Sequence, residues 1–141
     1  MCVHASVTAD RLRQRGKMMH ALIVDDDSDI REVARLSLEL IGGWAVSEAE
    51  GGSEAIEQAR TLSPDVILLD VMMPGIDGVA TLRVLAHDPR TSQIPVIFLT
   101  AKAQNGELRR LEEAGACGLI AKPFDPLSLA RDVEVILSAV Q

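Results

Sequence analysis

The chain has no tyrosine, two phenylalanines and one tryptophan among its 141 residues. Aromatic rings therefore cannot dominate its interior, and the core must be aliphatic, built from Leu, Ile, Val and Ala. Hydrophobic residues make up 48% of the sequence, enough for a packed core, and the length suits one domain rather than two. Clustered basic charge is scarce. The net charge is −7, whereas a nucleic-acid surface needs gathered Lys and Arg to replace counterions. Direct nucleic-acid binding is therefore not expected. The one basic cluster, Arg11 to Lys17, lies outside the patterned region and reads as a solvated tail.

No apolar run reaches the length of about 18 residues that a membrane span needs. The start does not read as a signal peptide, because His20 and Asp25 interrupt the apolar stretch after Lys17. Cys2 and Cys117 lie far apart and fit no metal spacing. A disulfide is not expected, and a reducing, cytoplasmic location fits better. Cys117 reads as a buried, inert thiol. His4, His20 and His87 are scattered without ligand spacing, so nothing suggests zinc.

Residues 1–19 lack periodicity and read as a flexible N-terminal extension; the patterned domain runs over 20–141. Ala21-Leu22-Ile23-Val24 is apolar on both faces, as buried parallel strands are, and stops at Asp25-Asp26-Asp27. A helix follows, with Ser28 as its N-cap, Ile30, Val33, Ala34, Leu38 and Ile41 at helical spacing, and Gly42-Gly43 at its end. The cycle repeats. Strands are predicted over 44–48, 66–69, 96–99 and 118–121. Helices are predicted over 53–62, 78–86 and 106–114, with a last one capped by Asp125 and carrying Pro126 in its first turn. Five strands alternating with five helices imply an α/β fold: a five-stranded parallel sheet with helices on both faces.

In such sheets ligands gather beyond the C-terminal strand ends. Five polar residues stop buried strands there: Asp25 and Asp26, Asp70, Thr100 and Lys122. Taken alone, each has a plainer reading as a solvated turn, a strand terminator, a turn cap or a surface charge; their joint placement outweighs these. Three carboxylates brought together repel unless a cation intervenes. Oxygen ligands alone point to a hard divalent ion such as Mg²⁺. Asp70 can then serve as a nucleophile toward a phosphoryl group, with Lys122 as a compact positive charge and the Thr100 hydroxyl as a donor.

These segments resemble the receiver family of two-component signalling. They are LIVDDD at 22–27, VILLDVMMPGIDG at 66–78, IPVIFLTA at 94–101 and AGACGLIAKPF at 114–124. The resemblance covers about residues 20–138 in order and spacing. It implies a flavodoxin-like doubly wound sheet of strand order 2-1-3-4-5. It implies that Asp25, Asp26, Asp70 and the backbone carbonyl of Met72 hold Mg²⁺, and that Asp70 accepts phosphate from a histidine kinase or histidine phosphotransfer protein. It further implies a cis Lys122-Pro123 bond, movement of Thr100 and Lys122 toward the phosphoryl group, and a change of shape read by a downstream protein. Dimerisation on phosphorylation is common in the family. Leu119 stands where the family usually has Tyr or Phe, so it is expected to report activation weakly or not at all. Met72 and Lys102 border the phosphoryl position and are expected to slow its hydrolysis.

Two alternatives start from the same acids. Asp25-x-Asp27 after an apolar strand resembles haloacid-dehalogenase-type phosphatases, with Asp25 as nucleophile, but that family needs late carboxylates where Thr100 and Lys122 stand. A calcium loop from Asp25 fails because it needs Gly at Ile30 and Glu at Leu36. No glycine-rich nucleotide loop is present.

Overall fold

The computed structural model describes residues 18–101 and 105–139. Five parallel strands form one sheet: β1 (His20–Val24), β2 (Ala45–Ala49), β3 (Val66–Asp70), β4 (Val96–Thr100) and β5 (Gly118–Ala121), in the order β2-β1-β3-β4-β5. The connecting helices are α1 (Ser28–Leu40), α2 (Gly52–Leu62), α3 (Gly78–His87), α4 (Asn105–Glu113) and α5 (Leu129–Ala139).

Side chains of a strand alternate between faces, and this splits the core in two. Ala21, Ile23, Val66, Leu68, Ile97 and Leu99 pack with Ala34 and Leu38 of α1 and Leu129, Val133 and Leu137 of α5. Leu22, Val24, Ile67, Leu69, Val96 and Phe98 pack on the other side, with Ala55, Ala59, Leu82, Leu85 and Leu111. Thus α1 and α5 cover one face and α2, α3 and α4 the other. The central strands β3 and β4 are buried along their whole length, which is why they read as unbroken apolar runs. The core is largely aliphatic as expected, but Phe98 lies fully buried within it and Trp44 is nearly so.

The element ends differ from the sequence reading in instructive ways. The N-cap of α1 is Asp27, not Ser28: its carboxylate accepts from the Asp29 and Ile30 N–H groups at 2.9 and 3.4 Å. Ser28 is already the first helical residue. Asp125 does not cap α5 directly. It accepts from Leu127 N–H at 2.9 Å and closes a separate turn over 126–128, and the helix starts at Leu129. Of the two glycines after α1, only Gly43 is left-handed, at φ 71°. Gly42 is needed for space, since a methyl there would lie 2.8 Å from the Leu38 carbonyl and 3.0 Å from Ala130 Cβ.

Met19 packs in the α1/α5 core and its carbonyl accepts from Ala45 N–H at 2.8 Å. Cys117 is buried as expected. Cys2, His4, the basic run 11–17, the extension as far as residue 17 and Lys102 lie outside the described residues. No helix among the described residues is long and apolar enough to cross a membrane.

Candidate functional site

Register explains why acids distant in sequence meet. Val24 is paired with Leu69 across β1 and β3, so the next residues, Asp25 and Asp70, leave adjacent strands side by side. Neighbouring strands lie about 4.8 Å apart, and alternation puts both side chains on the α1/α5 side. Asp25 is 1% exposed and Asp70 4%, whereas Asp26 is open to solvent. The three offer carboxylate oxygens that all lie within 4.8 Å of one another.

Lys122 completes the cluster from two strands away. The strand row through Asp70 continues to Leu99 and Ile120, so Lys122 stands two residues beyond it and its long side chain reaches back. The ammonium donates to Asp25 Oδ2 at 2.9 Å and Asp70 Oδ1 at 3.2 Å. The Lys122-Pro123 bond is cis, as the resemblance implied. Backbone amides share in holding the acids. Asp27 N–H donates to Asp25 Oδ1 at 2.9 Å, and Met72 N–H to Asp70 Oδ1 at 3.3 Å.

Thr100 is buried at the end of β4. Alternation puts it with Phe98, on the opposite face from the acids, and its carbonyl accepts from Lys122 N–H at 2.7 Å. Met72 is an exposed side chain beside the cup, and Leu119 is half-buried against the α2–α4 core.

Burial, and then the charge of Asp25, push the Asp70 carboxyl above its ordinary value, against the opposing pull of Lys122 and the Met72 amide. Burial disfavours the charge on Lys122. The hydrogen bond and charge of Asp25, then the charge of Asp70, outweigh it and hold the ammonium above its ordinary value. One ammonium faces three carboxylates, which leaves negative charge uncompensated, and the ligand atoms on offer are all oxygens. That donor chemistry fits a hard divalent metal.

Two structural contributors were invisible in the sequence pattern. Gly78 N–H donates to the Val71 carbonyl at 2.9 Å, folding the loop after β3 back on the strand end. A methyl on Gly78 would run into the Asp70 carbonyl and lie 2.9 Å from Val71 Cα. Arg31, four residues beyond the acid run, donates to the Asp25 carbonyl at 2.7 Å.

Comparison with known families decides the identity. Residues 21–134 match the family model described as the response regulator receiver domain. The chain belongs to this family. The receiver resembles the transcriptional regulatory protein CseB of Streptomyces coelicolor, at 40% identity over 118 residues, covering 84% of this chain and 49% of CseB. It also resembles RpaA of Synechocystis, named as a DNA-binding dual master transcriptional regulator, at 36% identity, covering 85% of this chain and 49% of RpaA. Among solved structures it is similar to the chemotaxis response regulator CheY4 of Vibrio cholerae, with TM-score 0.80 and 28% identity, covering 85% of this chain and 99% of that one.

The chain spans about half the length of the curated relatives it matches. This corrects the partner expectation. The acidic charge was taken to exclude nucleic acid, yet these relatives are named as transcriptional regulators, one of them DNA-binding. The net charge of a receiver describes the field of that segment alone and carries no information about the other half of these relatives. The fold, the receiver family and the signalling role stand as expected, and the comparisons favour them over the phosphatase alternative.

Proposed function

We propose that residues 20–141 act as a cytoplasmic phosphoacceptor unit in which Asp70 takes a phosphoryl group from a phosphohistidine donor. An Asp70 carboxylate oxygen forms the new bond to phosphorus as the phosphorus–nitrogen bond breaks and its electron pair returns to the imidazole. Asp25, Asp26, Asp70 and the Met72 carbonyl would hold Mg²⁺, which when bound neutralises charge on the acids and the incoming phosphoryl oxygens. Lys122, already 3.2 Å from Asp70, supplies the second positive charge. Thr100 donates its hydroxyl to a phosphoryl oxygen from the opposite face, and that added contact favours the active arrangement. The domain then catalyses only the gain and loss of its own phosphoryl group.

The observation that carries this reading is the Lys122 bridge between Asp25 and Asp70 beside an exposed Asp26. Acetyl phosphate with Mg²⁺ tests it. The parent should gain one phosphoryl group by intact mass, Asp70→Asn should gain none, and the modified peptide should contain Asp70. Phosphate retained by Asp70→Asn and lost in Asp25→Asn would move the nucleophile to Asp25 and restore the phosphatase reading.

A further inference from the structure

Among the described residues, hydrogen bonds hold two of the three clustered carboxylates. Asp25 accepts from Asp27 N–H and from Lys122, and Asp70 from Met72 N–H and Lys122. Among the described residues no side-chain hydrogen bond reaches the exposed Asp26 carboxylate, so its backbone sets its place. The Asp25–Asp26 peptide is planar, and fixing its carbonyl oxygen fixes the plane from which Asp26 departs.

That oxygen accepts from Arg31 Nη1 at 2.7 Å. The rest of the guanidinium fork is anchored on the edge strand. Nε donates to Glu48 Oε1 at 3.1 Å, and Nη2 lies 3.7 Å from Glu50. Arg31 is 11% exposed at its side chain. Its main anchor is itself immobilised, because Glu48 Oε2 meets Arg35 Nε at 3.1 Å and the Glu48 carbonyl accepts from Gln58 at 2.8 Å. The two glutamates also offset a positive charge that would otherwise repel a cation in the cup. A planar fork can span both attachments in a way that an ammonium cannot.

We propose that Arg31 is a positioning residue for the divalent cation, holding the Asp25 carbonyl against Glu48 so that the Asp26 carboxylate faces Asp25 and Asp70. This rests on the metal reading given above. Outer partners of metal ligands typically change affinity by about 10–100-fold.

The test is Mg²⁺ titration of the full unphosphorylated chain, followed by amide NMR shifts, with melting in chelator recorded separately. Arg31→Met keeps the apolar stem and should weaken Mg²⁺ binding about tenfold. Arg31→Lys should weaken it less. Arg35→Met cuts the other arm of Glu48 without touching Asp25 and should leave affinity within about twofold of the parent. A purely structural Arg31 would lower the melting midpoint in chelator and leave affinity unchanged; that result in either Arg31 variant overturns the proposal. So does a loss in Arg35→Met equal to that in Arg31→Met. If Arg31→Met does not fold, Arg31→Lys carries the reading. A parent chain that binds no Mg²⁺ removes the metal reading and this role together, whereas parent binding with unaltered Arg31 variants removes only the role.

Discussion

Lys122 stands 2.9 Å from Asp25 and 3.2 Å from Asp70, so one ammonium bridges two buried carboxylates that leave neighbouring strands in register. Breaking such a bridge leaves uncompensated charge. Lys122→Met should lower stability by about 2 kcal/mol, less than for a fully buried pair because the ammonium keeps some solvent contact. It should also slow phosphorylation by acetyl phosphate. Urea unfolding in chelator checks the first outcome, and labelling rate at saturating Mg²⁺ checks the second. A stability equal to the parent's would show that the bridge is energetically idle.

Asp70 is the reverse case, a carboxylate whose burial and acidic neighbour favour its protonated form. Its folded pKa lies above the unfolded value, so the folded state binds the proton more tightly. Its contribution to stability is therefore fully present below the unfolded value, near 3.8, and is lost as pH rises through the higher folded value. Without Mg²⁺ at neutral pH, Asp70→Asn should be more stable than the parent by about 1 kcal/mol, a few degrees in melting midpoint. The advantage should shrink as pH falls toward 4. Melting curves of both proteins across that window decide the matter; an advantage that grows on acidification contradicts the sign.

Mg²⁺ should reverse the penalty on the acid cluster. A ligand that binds only the folded state at a hundred times its dissociation constant adds about 2.7 kcal/mol. The parent should melt higher in Mg²⁺ than in chelator, and Asp26→Asn should lose most of that increment. An increment of full size in Asp26→Asn would remove this residue from the ligand set.

Gly78 should tolerate no side chain. A Cβ there would meet the carbonyl of Asp70 and Val71 Cα, which are backbone atoms that cannot rotate away. Gly78→Ala should cost about 2–3 kcal/mol as overpacking and should reduce labelling of Asp70 by displacing its strand end. Denaturant midpoint and phosphoryl uptake, measured on the same preparation, report both effects.

Leu119 already lies half-buried against the α2–α4 core, so it has no long path from solvent to interior. The methyl resonances of Leu119 should shift little on addition of beryllium fluoride, while the Thr100 amide shifts clearly. A large Leu119 response with transfer into the core would show that leucine performs the switching movement.

How much of this was legible beforehand follows from the kind of signal each feature leaves. β3 and β4 stood out because strands covered on both faces must be apolar at every position, and 66–69 and 96–99 are. Their polar terminators, Asp70 and Thr100, therefore marked the sheet edge without any structure. The N-cap of α1 was misplaced by one residue because Asp27 and Ser28 are both good caps, and only the backbone angles choose between them.

The sequence by itself determined the alternation of strands and helices, the acidic strand ends and the membership of Asp25, Asp26, Asp70, Thr100 and Lys122 in one edge, since hydrophobic periodicity is a local property. Tertiary structure alone decided the register that sets Asp25 beside Asp70, the face that separates Thr100 from the acids, and the reach of Arg31 to a carbonyl six residues back while anchored on a neighbouring strand. Those relations depend on contacts between distant segments, and a pattern along one chain carries no record of which distant segment will lie alongside.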